Sequence, residues 1–188
     1  MARIGMRKPV YRKITTENVG GVDKETYGTK KVMGKAISAD VSVQVSEAEL
    51  YADDGLAESV KEFVKGSINI NTDDMESDVE ADLLGATVDS ESEDVTNKSD
   101  DSAPWVQVGF TAARIKGGAK QYRGIVYTRV QFGIPNENTS TKGQTITFGT
   151  TTITGTLAAN AAGIWRKKSK WMSTAEEAEA WVDAFMTA

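Results

Sequence analysis

The chain has 188 residues, 39% of them hydrophobic and 26% charged, enough to bury one core and near the size of a single domain. It has neither cysteine nor histidine, which excludes disulfides, thiolate or imidazole metal sites, thiol nucleophiles and the Ser-His-Asp relay. The formal net charge of -5 is unevenly spread: residues 72–101 carry twelve acids against the single base Lys98, while the first 35 residues carry nine bases against three acids.

Val10, Tyr11 and Ile14 give the first apolar beat, followed by a polar, glycine-containing stretch to Lys31. Residues 1–34 therefore read as an arm that does not fold alone. From Ile37 the chain alternates strictly, with Ile37, Ala39, Val41, Val43 and Val45 on one face and Ser38, Asp40, Ser42, Gln44 and Ser46 on the other, which predicts a strand with a core side. It runs into an acidic, small-residue tract, 47–59, that reads as a flexible loop. EFVKGSININ then returns, Ile68 and Ile70 alternating with Ser67, Asn69 and Asn71, so the two strands read as an extended hairpin with a long insertion.

Thr72 to Gly85 reads as a short amphipathic helix: Ser77 and Glu80 fit a capping box, Met75, Val79 and Leu83 recur at helical spacing, and Gly85 closes the end. Residues 89–102 are too acidic and too poor in apolar groups for a core and read as an exposed loop. WVQVGFTAARI and KQYRGIVYTRVQF, joined at Gly117-Gly118, form the firmest hairpin pattern. After the loop PNENTSTKGQ comes the threonine-rich run from Thr145 to Leu157, in which Gly149 and Gly155 mark bends or close backbone approach. GIWRKKSKW adds a last short strand. Ser173 and Glu176 then fit a second capping box, with Ala178, Trp181, Val182 and Phe185 on one face of a closing helix. The expected fold is α+β and mainly β, an antiparallel sandwich or barrel with one or two short flanking helices, in one domain over residues 1–188.

Paired acids at Asp53-Asp54, Asp73-Asp74 and Asp100-Asp101 lack the spacing of a calcium loop and read as solvated loop and helix-start acids. RKKSK at 166–170, between Trp165 and Trp171, reads as an edge strand protected by lysine more readily than as a nucleic-acid patch. No GxGxxG or GxxxxGK[ST] pattern occurs, no apolar run is long enough to cross a bilayer, and the start lacks a secretory signal. The expectation is a soluble, cytoplasmically made protein with no cofactor and no membrane, whose sequons at Asn97 and Asn138 are not used.

Several phrases, in order, carry a resemblance: MARIGMRKPVYRKI, YGTKKVMGKAISADVSVQVSEAELYADDGLAES, INTDDMESDVEADLLGA, DSAPWVQVGF, YRGIVYTRVQF and STKGQTITF. They resemble the major tail proteins, or tail tube proteins, of long-tailed non-contractile bacteriophages, over nearly the full chain and less clearly from Gly163 onward. That likeness implies a β-sandwich with a flanking helix and no catalytic residues, so no enzyme. It implies hexameric rings whose inner strands join into one barrel and which stack into a tube through which the genome leaves. It also implies a virion location and, as partners, copies of itself, a tape measure protein and tail terminator and initiator proteins.

Under that resemblance the candidate lumen-facing residues are Asp40, Ser42, Gln44, Ser46, Asn69 and Asn71, none of them basic, which suits a conduit that must pass DNA without binding it. An ordinary solvated sheet face accounts for the same residues. The candidate inter-subunit residues are Arg7, Lys8, Arg12 and Lys13 on the basic arm and Glu49, Tyr51, Asp53 and Asp54 on the acidic tract, unlike patches suiting a head-to-tail meeting. Reversing the four bases is expected to impair assembly without loss of secondary structure. The alternatives are a surface-displayed β-sandwich binding module, immunoglobulin-like or carbohydrate-binding, and an enzyme built on a carboxylate pair, which the missing histidine disfavours.

Overall fold

The computed structural model describes residues 2–19, 22–52, 55–89, 91–135 and 150–187. In chain order the elements are β1 (Ala2–Val19), β2 (Val22–Tyr27), β3 (Lys31–Val32), β4 (Ala36–Ala52), β5 (Gly55–Thr72), α1 (Ser77–Leu84), β6 (Thr87–Val88), β7 (Val95–Thr96), β8 (Trp105–Lys116), β9 (Ala119–Phe132), β10 (Thr151–Ala158), β11 (Arg166–Lys168) and α2 (Ala175–Thr187).

β8 and β9 are the β-branched, aromatic arms of the expected hairpin, and they form the middle of the fold. Gly117 and Gly118 both have positive φ, 58° and 80°, the backbone that a two-residue turn between right-twisted strands requires. The main sheet runs β2-β1-β8-β9-β10-β5-β4, with β3 added on β1 and β11 on β9, and all its pairings are antiparallel. It folds over on itself into a sandwich-like arrangement. Ile68, Ile70, Ile153 and Leu157 from β5 and β10 pack with Val106, Val108, Phe110, Ile125 and Tyr127 from β8 and β9, and α1 adds Val79, Leu83 and Leu84. The mainly β fold with short flanking helices follows the expectation.

α2 lies on the opposite face of β8 and β9, where Val182 and Met186 bury against Val10 and Val126. Two glycines make its seat. A Cβ at Gly124 would fall 2.5 Å from Trp181 Cε3, and one at Gly109 2.7 Å from Met186 Sδ, so only a bare backbone admits the helix this close. Gly155 on β10 meets the expectation of close approach, a Cβ there falling 2.6 Å from Val130. Gly149 lies outside the described residues.

Four expectations are corrected. First, residues 1–34 are not a separate arm, since β1 lies inside the sheet between β8 and β2. Val10 and Tyr11 bury on opposite faces, so two adjacent apolar residues anchor the strand to both cores, a pattern that strict alternation does not register. Second, the tract 47–59 is strand over 47–52 and 55–59, where β4 and β5 continue with Glu47 opposite Lys61 and Ala48 opposite Val60. Third, residues 89–102 are not loop throughout: Val95–Thr96 is β7, paired with β6 just before the segment, and the Asp89 side chain accepts the N–H groups of Glu91 and Ser92. Fourth, neither capping box forms as expected. Glu76 is the N-cap residue of α1 without a side-chain hydrogen bond, and at α2 the cap shifts by one, Thr174 Oγ1 accepting the Glu177 N–H while Ser173 donates to the Glu177 carboxylate.

Candidate assembly surface

The nine bases of the first 35 residues largely find partners within their own chain, because β1 and β3 pass between the two acidic helices. Lys13 reaches Asp82 of α1 at 2.6 Å, and Lys31 reaches Asp82 and Asp78 at 2.7 and 3.3 Å. Lys30 reaches Asp183 of α2 at 2.6 Å, while Arg7 and Lys8 sit 3.8 and 3.5 Å from Glu179. The charge asymmetry of the sequence is therefore in large part the clamp that holds both helices to the sheet.

Arg12 is the sharpest correction to the proposed inter-subunit set: it is 5% exposed. Its Nε donates to Gln107 Oε1 at 2.8 Å, its terminal nitrogens donate to the carbonyls of Met186 and Phe185, and its guanidinium stacks 4.1 Å from the Tyr27 ring. Burial pushes its pKa down, the expected direction for a cation taken out of water. Because the carbonyls at the end of α2 carry the negative end of the helix dipole, Arg12 acts as the C-terminal cap of that helix. Lys13, bound to Asp82, is likewise engaged within its own subunit. Arg7 and Lys8 stay half exposed at the rim.

Asp82 is the hub of the other clamp. Burial alone pushes its carboxyl up, but donors from Lys13, Lys31 and Tyr11 outweigh it and leave the group below the ordinary carboxylate range. The Tyr11 hydroxyl moves the other way, raised by burial and by the neighbouring Asp82 charge. Asp73 is also held low, by backbone N–H groups of Asp74 and Lys35.

The candidate lumen residues fall together on one sheet face. Register sets Asp40 opposite Asn69 and Ser42 opposite Ser67, and β10 extends both rows with Thr154 and Thr156. Thr154 Oγ1 donates to Asn69 Oδ1 at 2.8 Å, and Ser38, Asn71 and Thr152 form a third such row. The result is a stepped polar surface of small hydroxyl and amide groups. Gln44 and Ser46 continue it, paired with Lys65 and Glu62, so one base enters the face that the named residues alone left without any.

A bulge at this point changes the strands' relation to the core. Between Gln44 opposite Lys65 and Val45 opposite Phe63 the register skips Val64, which turns Phe63 inward to stack on Trp165 at 4.5 Å. Past that stack the ribbon leaves the body. Every residue there whose side chain is described, 46–49 and 59–62, is exposed, and Val45, Val60 and Val64 are 54%, 46% and 56% accessible. Lys61 and Glu47 pair across it at 2.5 Å. Glu49 and the backbone of Tyr51 lie on the ribbon; Asp53 and Asp54 lie outside the described residues. Among the described residues β4 pairs only with β5, so its other edge is open.

Beside that edge, between β4 and the β8–β9–β11 layer, is a groove of about 420 Å³. Met6, Phe110, Ala112 and Ile125 give it an apolar floor, and Arg123, Arg166, Lys168 and Trp171 line one side. Trp171 lies between two guanidiniums, Arg114 at 3.8 Å and Arg123 at 4.5 Å from its ring. Sequence reading missed Arg114 and Arg123. They sit in the inward phase of β8 and β9, opposite Gln121 and Ala112. Two arginines in core phase near a turn were the available signal. β11 is an edge strand on β9, as the lysine-protected reading of RKKSK expects.

Among the described residues no group of three or more acids is placed to hold a metal ion, and no helix is long and apolar enough to cross a membrane. The chain matches no protein-family model, and no curated protein matches it.

Proposed function

We propose that this protein is a structural subunit that polymerises with its own copies into stacked rings, six to a ring, forming a hollow tail tube of the long-tailed bacteriophage kind that conducts DNA. The observation that carries this reading is the β4–β5 ribbon. A two-stranded ribbon is marginal in water without a third strand or a packed face, and fixing each residue costs roughly 1–2 kcal/mol of backbone entropy. This one exposes Val45 and Val64 at the last core contact and Val60 beyond it, and among the described residues the β4 edge is open. A neighbouring copy supplies the missing cover, and an edge on one copy meeting a different surface on the next generates rings or filaments rather than closed pairs.

The stepped polar face suits the lumen. Its serine, threonine and asparagine side chains offer no fixed cation array to phosphates, and Asp40 balances Lys65, so counterion release gives DNA little reason to stay. The tape measure, initiator and terminator partners and the virion location follow from the sequence resemblance and belong to the same proposal. No step of it requires a catalytic residue. Negative-stain electron microscopy of the purified chain at rising concentration is the test: tubes with a central hole are expected, and compact single particles at every concentration contradict the reading.

A further inference from the structure

Besides the two helix clamps, the chain carries two further charged regions of opposite sign. One is the basic side of the groove, Arg123, Arg166 and Lys168 around Trp171. The other is the segment 91–101. Of its five acids Glu91, Glu93, Asp94 and Asp100 are exposed and Asp101 is half-buried, and among the described residues none makes an ion pair. Asp94 and Asp101 accept only Ser92 Oγ and the Lys98 N–H.

Among the described residues none of these acids pairs with those bases within one molecule. The acidic segment ends at Ala103, whose carbonyl accepts the Gln131 side chain, and leads directly into Trp105 at the start of β8. The β6–β7 pairing ties its other end beside α1. Arg123 pairs with Ala112, seven residues along β8 from Trp105, or about 23 Å at the rise of an extended strand. Arg166 and Lys168 of β11 lie level with Val108 and Phe110, so the acids stand at the start of β8 and the bases from about 10 to 23 Å along it.

We infer that the groove beside β4 receives the acidic 91–101 segment of a second copy of this chain, joining copies acid end to base end along the direction of β8. This rests on the self-assembly reading and adds the contact that fixes its polarity. The contact is heterologous, so each copy still presents one free groove and one free segment and growth continues. The apolar floor and the Trp171 ring exclude water beneath the charge pairs, and the opposite signs steer the encounter. A polyanion such as single-stranded DNA is the competing occupant, which basic side chains beside an exposed indole also fit.

The test uses two full-length variants, Arg166→Glu/Lys168→Glu and Glu91→Lys/Asp100→Lys, each checked by circular dichroism. Each alone is expected to raise the concentration needed for assembly by about tenfold or more, and an equimolar mixture to restore it, because the reversed groove of one fits the reversed segment of the other. In the wild-type assembly, zero-length carbodiimide cross-linking is expected to join Lys168 to an acid of 91–101; this measurement stands if the double groove variant misfolds. Assembly that ignores both reversals and gives no such cross-link overturns the inference while leaving self-assembly intact. A wild-type chain that never assembles overturns both. Binding of a single-stranded oligonucleotide that Arg166→Glu/Lys168→Glu abolishes, with assembly unaffected, overturns it in favour of nucleic acid.

Discussion

Arg12 Nε donates to Gln107 Oε1 at 2.8 Å beneath the end of α2, so one of the four cations of β1 that sequence polarity assigns to a neighbour is a buried part of its own fold. Replacing Arg12 by alanine leaves Gln107 and two helix-end carbonyls without their donor. The expected loss is about 2–4 kcal/mol, and lysine, which lacks the planar fork, does not restore it. Denaturant unfolding of R12A and R12K measures both. A fourfold reversal of Arg7, Lys8, Arg12 and Lys13 to Glu is accordingly expected to unfold the chain, not merely to block assembly.

Asp82 sets the response to pH. Its carboxyl is held below the ordinary range, so its contribution is complete above about pH 4 and is lost as pH falls through the lower value it has in the folded chain. Lys31 is raised, chiefly by the Asp82 hydrogen bond, so the same pair holds up to about pH 10 and fails only as pH rises through the lysine's folded value. With no histidine in the chain, the unfolding midpoint should be flat between about pH 6 and 8. Asp82→Asn is expected to cost about 1 kcal/mol at neutral pH, since its lysine partners are well exposed, and to flatten the acid limb. Thermal scans from acid to neutral pH decide it.

Gly124 is the seat of α2. Gly124→Ala forces a methyl against Trp181, Val182 and the Ala178 carbonyl, and is expected to cost about 1–3 kcal/mol. Hydrogen exchange should then quicken in α2 before it does in β8 or β9. Equal quickening throughout would mean the helix is not a separable layer.

The β8–β9 hairpin, the Gly155 approach and the inward faces of both helices follow from period and turn chemistry, which are local. β1 was illegible because its burial comes from partners about a hundred residues away, with Gln107 and the end of α2 enclosing a residue that composition marks as surface. The ribbon was misread because small and acidic residues alternate there without an apolar face, and its register rests on cross-strand pairs such as Glu47 with Lys61. The candidate lumen residues were placed on one face by strict alternation. Lys65 shares their phase by the same alternation, whereas Glu62 joined them only because of the bulge at Val64, which no period reports.

Val60 and Val64 separate folding from assembly. Both lie on the exposed ribbon, so Val60→Lys/Val64→Lys is expected to change monomer stability by no more than about 0.5 kcal/mol. The same change puts two charges into the surface that a neighbour covers. The concentration for assembly, followed by sedimentation, should rise about tenfold or more.

Amide hydrogen exchange of the ribbon, residues 46–52 and 55–62, compared between the dilute chain and the concentrated assembly, tests the central claim most directly. The expected result is fast exchange in the dilute chain and strong protection along both strands once copies gather, with β8 and β9 unchanged. A ribbon already protected when dilute, or equally unprotected in both states, would contradict the idea that another copy completes it.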